Sequence, residues 1–166
     1  YPFIMAGINT KIVRRSHALT NFQYGKDFRY EEAMMSGKGI SGLLKAILAV
    51  FPLAMIGLNP NSLLKKIVNS YMPKPGEGPG PEKRKNGFYN LRFYVTIDKR
   101  RKAFAKVVGD NDPGYGSTSK MLAESALCLA FDKLPENCGV VTPSIAMGKQ
   151  LLERLRNNAG LDFKIS

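Results

Sequence analysis

The chain has 166 residues, 44% hydrophobic and 10% aromatic, which is enough apolar material for a substantial core in one domain. Its formal charge of +12 at pH 7 favours anionic partners, but no helix-turn-helix, zinc-finger, RNP or KH motif accompanies the basic residues, so nucleic acid is not an expected partner. Two cysteines and one histidine do not make a disulfide framework or a zinc site of usual spacing, so we expect no metal and a reducing, cytoplasmic compartment.

The first residues carry no sign of a secretory signal, and because the sequence opens on Tyr1 we expect it to be cut from a longer one. A helix is predicted over residues 9–22, beginning at Asn9 or Thr10. His17 lies among the basic residues of this helix. No serine or cysteine with an acidic partner can be assigned to it, so we interpret His17 as a surface or hydrogen-bonded histidine without a catalytic role.

The most hydrophobic segment is GISGLLKAILAVFPLAMIGL, residues 39–58. Its uncharged part, residues 46–58, is shorter than the about 20 apolar residues that span a bilayer, so we predict a buried or lipid-touching helix. Pro52 is expected to end or kink this helix near Phe51, and a second helix is expected over residues 62–72. The apolar helix and the basic charge together support an alternative function, that of a membrane-surface or lipid-binding module.

The segment PKPGEGPGPE, residues 73–82, is too rich in proline and glycine for a helix or a ladder strand to persist, and a basic run follows it at residues 83–85. We predict a loop here. It is either a flexible connector, which its composition favours, or an ordered lid or partner-binding loop that its prolines stiffen.

Residues 89–97 alternate between apolar and polar side chains, which predicts a strand with one buried face. A charged turn leads to the second strand, AFAKVVG, so residues 88–109 are predicted to form an antiparallel hairpin. Tyr94 and Phe104 make the other face less polar than usual, which indicates that both faces are partly covered.

The remaining elements follow from capping and periodicity. They are a helix over residues 118–131, a short strand over 139–141, a helix with Thr142 as N-cap and Pro143 in its first turn that ends at Asn158, and a closing strand over 161–165. The predicted fold class is therefore α+β, with a mixed or antiparallel sheet flanked by helices.

The stretch VVGDNDPGYGSTSKMLAES, residues 107–125, has the layout of a nucleotide-binding loop, with a strand, a glycine-rich turn and a helix. A Walker A loop is excluded because Tyr115 stands where the lysine must be. The dinucleotide fingerprint fits poorly, since Ser119 replaces its third glycine and the strand belongs to a hairpin. A reductase-type tyrosine and lysine pair also fails, because Tyr115 and Lys120 are five residues apart and Tyr115 precedes the helix.

With these three patterns excluded or poorly matched, the stretch still predicts a helix amino terminus with free N–H groups at residues 117–119. It can accept an anion, or the hydroxyl groups of Ser117, Thr118 and Ser119 can cap it. We favour capping. The acidic residues Asp110 and Asp112 suit the positive end of the helix dipole.

Several segments in order carry a family resemblance: PFIMAGINTKIVRRSHAL, YGKDFRYEE, PKPGEGPGPEKRKNG, GDNDPGYGSTSKMLAESALCLA, GVVTPSIAMGKQLLERL and GLDF. In this succession the chain resembles the carboxy-terminal half of the saccharopine dehydrogenase-like oxidoreductases, and within these the branch that includes the trans-acting enoyl reductases of polyketide lipid synthesis. The resemblance covers essentially the whole chain.

The resemblance implies that residues 1–166 form a single, non-Rossmann second domain with substrate-binding and association roles. The amino-terminal Rossmann domain, which would hold NAD or NADP, is absent from this sequence, so no cofactor is expected in the chain and activity is not expected of it alone. The implied partners are that Rossmann domain, a small-molecule or acyl substrate, and a second copy in a homodimer; the location is cytoplasmic with membrane association as an option.

Among the matching segments, the loops over residues 75–81 and 109–118 are expected to face the substrate cleft. The residues expected to line it are Pro75, Gly76, Gly78, Pro79, Asp112, Gly114, Tyr115, Gly116 and Thr118. Neither the residues nor the resemblance assigns a catalytic group among them.

Overall fold

The computed structural model describes residues 1–58, 70, 76–98 and 102–165. The chain divides into two compact units, Tyr1–Glu77 and Gly78–Ser166. The first unit contains two long helices, and the second contains an antiparallel sheet with its own helices.

The first unit begins with helix α1, Ala6–Leu19. The predicted start at Asn9 or Thr10 is wrong, because the hydroxyl of Thr10 donates to the carbonyl oxygen of Ala6, at 2.6 Å, inside the helix instead of capping it. The helix also ends earlier than predicted. Asn21 and Phe22 adopt left-handed backbone angles, with φ of 52° and 59°, which an α-helix does not accommodate.

Helix α2, Gly39–Leu58, runs through Pro52. The helix therefore does not end near Phe51; the residues after the proline include the strong helix formers leucine, alanine and methionine, which offset the lost hydrogen bond. Its described side chains expose a large apolar surface: Ile40, Leu43, Leu44, Ile47, Leu48 and Phe51. Among the residues that the structure describes, the helices lack a continuous apolar stretch of the length that spanning a bilayer requires. The helix predicted over residues 62–72 lies outside the described residues apart from position 70.

The second unit contains three strands and four helices among its described residues. In chain order they are α3 (Pro81–Lys85), β1 (Tyr89–Thr96), β2 (Lys102–Gly109), α4 (Gly116–Phe131), α5 (Pro143–Ala146), α6 (Gly148–Asn158) and β3 (Leu161–Ile165). The strands form one antiparallel sheet in the order β1-β2-β3. The predicted hairpin, the closing strand and the α+β class are confirmed.

One face of the sheet is apolar across all three strands, because directly paired residues share a face. Its rows are Tyr89–Gly109–Leu161, Leu91–Val107–Phe163, Phe93–Ala105–Ile165 and Val95–Ala103. Helices α4 and α6 pack on each other, and α6 packs on β3, where the guanidinium of Arg156 lies 5.5 Å from the ring of Phe163. Leu161 is buried at this end, whereas Leu91 and Val95 are about half exposed. The buried face predicted for β1 is thus only partly covered, with Tyr89 and Phe93 half-buried.

Three other expectations are corrected. Residues 139–141 do not form a strand, because Gly139 has a left-handed backbone with φ of 91°, and Val140 is 86% exposed. Pro81 begins a short helix that includes the basic run, because its fixed φ suits a first helical turn. The last predicted helix is two helices, separated where Met147 turns inward and is buried.

The sheet offers a matched pair of substitutions on one face of one strand. Leu161 is 6% exposed and Ile165 is 83% exposed. We expect Leu161→Ala to lower the free energy of unfolding by about 2 to 4 kcal/mol, because it removes buried methyl groups and leaves a cavity. Ile165→Ala should change it by less than about 0.5 kcal/mol. Urea unfolding followed by circular dichroism measures both, and equal losses would contradict the helix packing described here.

Candidate functional site

The glycine-rich turn between β2 and α4 is organised by one carboxylate. Oδ1 of Asp112 accepts hydrogen bonds from the backbone N–H groups of Gly114 and Tyr115, both at 3.1 Å, and Oδ2 accepts from the N–H of Gly116 at 2.5 Å. The carbonyl oxygen of Asp112 also accepts from the N–H of Ser117 at 2.9 Å. These amides would otherwise be unpaired at the start of a helix, so Asp112 caps α4.

The hydroxyl groups that were expected to cap the helix have other partners. Thr118 donates to the carbonyl oxygen of Pro113 at 2.7 Å, and Ser119 donates to that of Gly116 at 3.0 Å. Ser117 is fully buried, and its hydroxyl shares a hydrogen bond of 2.9 Å with the hydroxyl of Tyr89. The prediction of hydroxyl capping is therefore wrong, because the helix already begins at Gly116, which places these three residues inside its first turn, and the carboxylate of Asp112 binds the amides that lead into it.

The same hydrogen bonds lower the pKa of Asp112. The N–H of Gly116 contributes most, followed by those of Tyr115 and Gly114, and the positive charge of Arg84 adds to them. The ionised side chain occupies the position that the phosphate of a nucleotide would take at a helix amino terminus. The turn is consequently self-capped rather than an open phosphate cradle.

Helix α3 is joined to this turn through its backbone. The N–H of Asp112 donates to the carbonyl oxygen of Arg84 at 3.0 Å. A Cβ atom at Gly87 would lie 2.6 Å from Cα of Asp112, and one at Gly116 would lie 3.3 Å from the carbonyl oxygen of Arg84. Both glycines are therefore needed for the close approach of the two segments.

The proline- and glycine-rich loop also contacts the turn. A Cβ atom at Gly78 would lie 3.3 Å from Cζ of Tyr115, so the ring of this tyrosine packs against the loop backbone. Tyr115 is 55% exposed, which leaves much of its surface available to a ligand. Two segments that were predicted to face the cleft are thus in contact at Gly78.

The other predicted cleft residues make fewer contacts and are more exposed. Gly114 and Thr118 are exposed beside the turn, and Pro79 is half-buried. Gly76 is exposed, with φ of 87° and open space around it. Pro75 lies outside the described residues.

A second carboxylate closes the opposite side of the turn. Asp110 accepts hydrogen bonds from the side chains of Asn111, at 2.8 Å, and Lys120, at 3.3 Å, and these lower its pKa in that order of importance. Asp110 also fills the space beside Gly160, whose φ of 70° joins α6 to β3. Lys120 is therefore engaged by Asp110, which supports the exclusion of a Tyr115 and Lys120 pair.

Sequence reasoning missed an ion-pair network between α4 and α6. Arg154 donates two hydrogen bonds to Asp132, at 2.6 and 2.7 Å, and one to Glu124 at 3.2 Å. The amide of Asn158 also donates to Glu124, at 3.1 Å. Glu124 lies on α4 and Asp132 follows the last residue of that helix, eight positions later, a spacing that was visible in the sequence.

Cys128 lies between these carboxylates on α4 and is fully buried, and burial raises the pKa of its thiol. An uncharged, inaccessible thiol is a poor nucleophile, so Cys128 serves packing. The described residues contain no group of three or more His, Cys, Asp or Glu that could hold a metal ion.

His17 belongs to an aromatic cluster in the first unit. It is 6% exposed, its Nε2 lies 3.0 Å from the carbonyl oxygen of Gly25, and its ring stacks on that of Tyr24 with 5.3 Å between centroids. Phe22 and Phe28 complete the cluster. His17 is therefore a core residue rather than a surface one, because the left-handed backbone after α1 folds the aromatic side chains back over it.

The fold and the site define an α+β protein whose glycine-rich turn is closed by its own carboxylate. No protein-family model matches the chain, and no solved structure matches it. The chain is 43% identical over 163 residues to a protein of Mycobacterium tuberculosis strain H37Rv that is provisionally named a trans-acting enoyl reductase. It is 38% identical over 159 residues to proteins of Mycobacterium bovis strain BCG and Mycobacterium leprae, each named trans-acting enoyl reductase.

Each match covers 92% of this chain and 38% of the relative. The chain thus spans well under half the length of the curated relatives that it matches. The resemblance to the trans-acting enoyl reductase branch is confirmed, while the wider relation to saccharopine dehydrogenase-like proteins stays a prediction. The names of the relatives do not favour the membrane-surface alternative.

The cap at Asp112 predicts a specific pH dependence. Because the pKa of Asp112 is lowered in the folded protein, its charge stabilises the fold above the ordinary carboxyl pKa, and this stabilisation is lost as the pH falls through the folded pKa. We expect Asp112→Asn to lower Tm by several degrees at pH 7 and the difference to shrink as the pH falls below the ordinary carboxyl pKa. Thermal unfolding over this range measures it. Asp27→Asn, at an exposed position, is the control, and a pH-independent difference for Asp112→Asn would contradict the assignment.

Proposed function

We propose that this chain is the substrate-binding and association part of an NAD(P)-dependent reductase of the saccharopine dehydrogenase-like type, which acts on an acyl or enoyl substrate. The observation that carries the proposal is the 43% identity over 92% of the chain to a relative of which the chain makes up only 38%. An enoyl reduction needs a hydride donor, which a nicotinamide cofactor supplies.

The geometry of the turn supports a parent protein in which one domain binds the cofactor and this chain binds the substrate. The N–H groups of Gly116 and Ser117 at the start of α4 are already bonded to Asp112, whose carboxylate also repels other anions, so this turn is a poor site for the phosphates of a dinucleotide. The cofactor would instead be held by a Rossmann domain outside this chain, the partner that the resemblance implies. We therefore assign substrate binding, and not cofactor binding, to the surface formed where Gly78 meets Tyr115.

In this proposal the exposed ring of Tyr115 forms part of the substrate cleft. Its backbone N–H is fixed by Asp112 and its ring is seated against Gly78, so it presents a preorganised apolar surface with a hydroxyl group at its edge. Such a surface suits an acyl chain with a polar group at the reacting end. The predicted homodimer and the predicted cytoplasmic location stay predictions.

A measurement of cofactor binding distinguishes this proposal from the alternative that the 166-residue chain binds the cofactor by itself. We expect the longer parent protein to bind NADPH at least about 100-fold more tightly than the 166-residue chain, because the main cofactor contacts lie outside it. Isothermal titration calorimetry on both proteins at equal salt measures the ratio. Equal NADPH affinities of the two proteins would contradict the placement of the cofactor site outside this chain.

The cleft assignment is tested in the longer protein with an acyl or enoyl substrate. We expect Tyr115→Ala to raise KM by about tenfold, as expected for loss of a well-packed aromatic contact worth about 1.4 kcal/mol, with NADPH affinity unchanged. Val140→Ala, at an exposed apolar position outside the turn sequence, is the control. An unchanged KM in the Tyr115 variant would place the substrate elsewhere.

A further inference from the structure

The face of the sheet that lies opposite the helices carries a second, separate pattern. Side chains alternate between faces along a strand, so the residues that alternate with Tyr89 and Leu161 point away from α4 and α6. We call this surface the cationic face. Its residues are Asn90, Arg92, Tyr94 and Thr96 of β1, Lys102, Phe104, Lys106 and Val108 of β2, and Asp162 and Lys164 of β3.

Three cations lie abreast on the cationic face. Arg92 pairs with Lys106 across β1 and β2, and Lys106 pairs with Lys164 across β2 and β3. Neighbouring strands are about 4.8 Å apart, so the row spans about 10 Å. Like charges directly opposite each other destabilise a sheet, and an anion placed over the row would relieve this repulsion.

Little within the described residues neutralises the row. Lys164 forms an exposed ion pair of 2.8 Å with Asp162 on its own strand. Arg92 and Lys106 form no ion pair with any described residue, and Arg92 is exposed. The row therefore retains positive charge at its β1 and β2 positions.

An aromatic pair occupies the next row of the same face. Tyr94 and Phe104 are direct cross-strand partners, with 5.3 Å between ring centroids and 51° between ring planes. They lie two residues along the strands from Arg92 and Lys106, a distance of about 7 Å. Tyr94 is 73% exposed, so its ring can take a planar ligand against it. Aromatic rings beside cations are the combination that stacks nucleobases and holds their phosphates.

We propose that the cationic face binds a nucleotide, with the base against Tyr94 and Phe104 and the phosphates across Arg92, Lys106 and Lys164. The pattern fits one nucleotide rather than a nucleic-acid strand. The described part of the face has one aromatic pair, and the row on the far side of the cations contains Asp162, which would repel a continuing phosphate backbone. This proposal is independent of the proposed reductase function, because it uses neither the turn nor the missing part of the parent protein.

The first test uses adenosine diphosphate as the probe and the 166-residue chain as the protein. Amide chemical shifts are followed by NMR at low salt during titration. We expect shifts confined to β1, β2 and β3, and affinities for adenosine and for inorganic pyrophosphate that are each at least about tenfold weaker than for adenosine diphosphate. Pyrophosphate binding as tightly as adenosine diphosphate, or shifts centred on another element, would overturn the proposal.

The second test uses charge-matched variants. Arg92→Gln with Lys106→Gln should weaken adenosine diphosphate binding at least about tenfold, and Tyr94→Ala should weaken it without changing pyrophosphate binding. The control is Lys11→Gln with Lys149→Gln, which removes the same net charge from exposed positions on two helices. An equal loss in the control would mean that net charge alone attracts the probe, and would refute the site.

The third test asks whether the face binds a single-stranded nucleic acid instead of one nucleotide. Twelve-residue oligothymidylate should bind no more tightly than adenosine diphosphate. If it binds more than about tenfold more tightly, with a steep dependence on salt, the face belongs to single-stranded nucleic acid and the nucleotide proposal is wrong. In the longer protein, the double variant of Arg92 and Lys106 should leave NADPH affinity unchanged, which separates this face from the proposed cofactor site.

Discussion

The carboxylate of Asp112 is the interaction on which the organisation of the second unit depends. It accepts hydrogen bonds from three successive amides and so holds the turn that leads from β2 into α4. The backbone of the same residue is bonded to Arg84, which joins α3 to the turn. Tyr115, whose amide is one of the three, is thereby placed against Gly78. A single side chain thus positions a helix start, a neighbouring helix and an aromatic surface.

This arrangement also limits what the turn can do. An anion at the start of α4 would have to displace a carboxylate that is covalently attached and already ionised, so ligand phosphates are at a disadvantage there. The cationic face has the opposite property, since Arg92 and Lys164 are exposed, Lys106 is half-buried, and their positive charges are not fully neutralised. Between α4 and α6 the pairs made by Arg154 are satisfied internally and serve the packing of the helices. The three charged clusters of the unit therefore have three different roles.

Local patterns predicted much of the second unit. The alternation in residues 89–97, the turn after it and the alternation in 161–165 were sufficient for the hairpin and the closing strand, since a period of two has few other structural explanations. The missing lysine of the Walker A pattern, at Tyr115, was sufficient to exclude a P-loop. Proline at position 143 marked a helix start, because its fixed φ and missing N–H suit that position. All of these features depend on residues close together in the chain.

The sequence by itself thus determined the fold class, the hairpin, the main helices and the similarity to trans-acting enoyl reductases. The tertiary structure decided which acceptor caps α4, how far the apolar face of the sheet is covered, that His17 is buried, and that Gly78 meets Tyr115. Choosing Asp112 over the hydroxyl groups of residues 117–119 depends on the path of the turn, and the cationic row exists only through the pairing register of three strands. Such features arise from contacts between distant residues, and local periodicity carries no information about them.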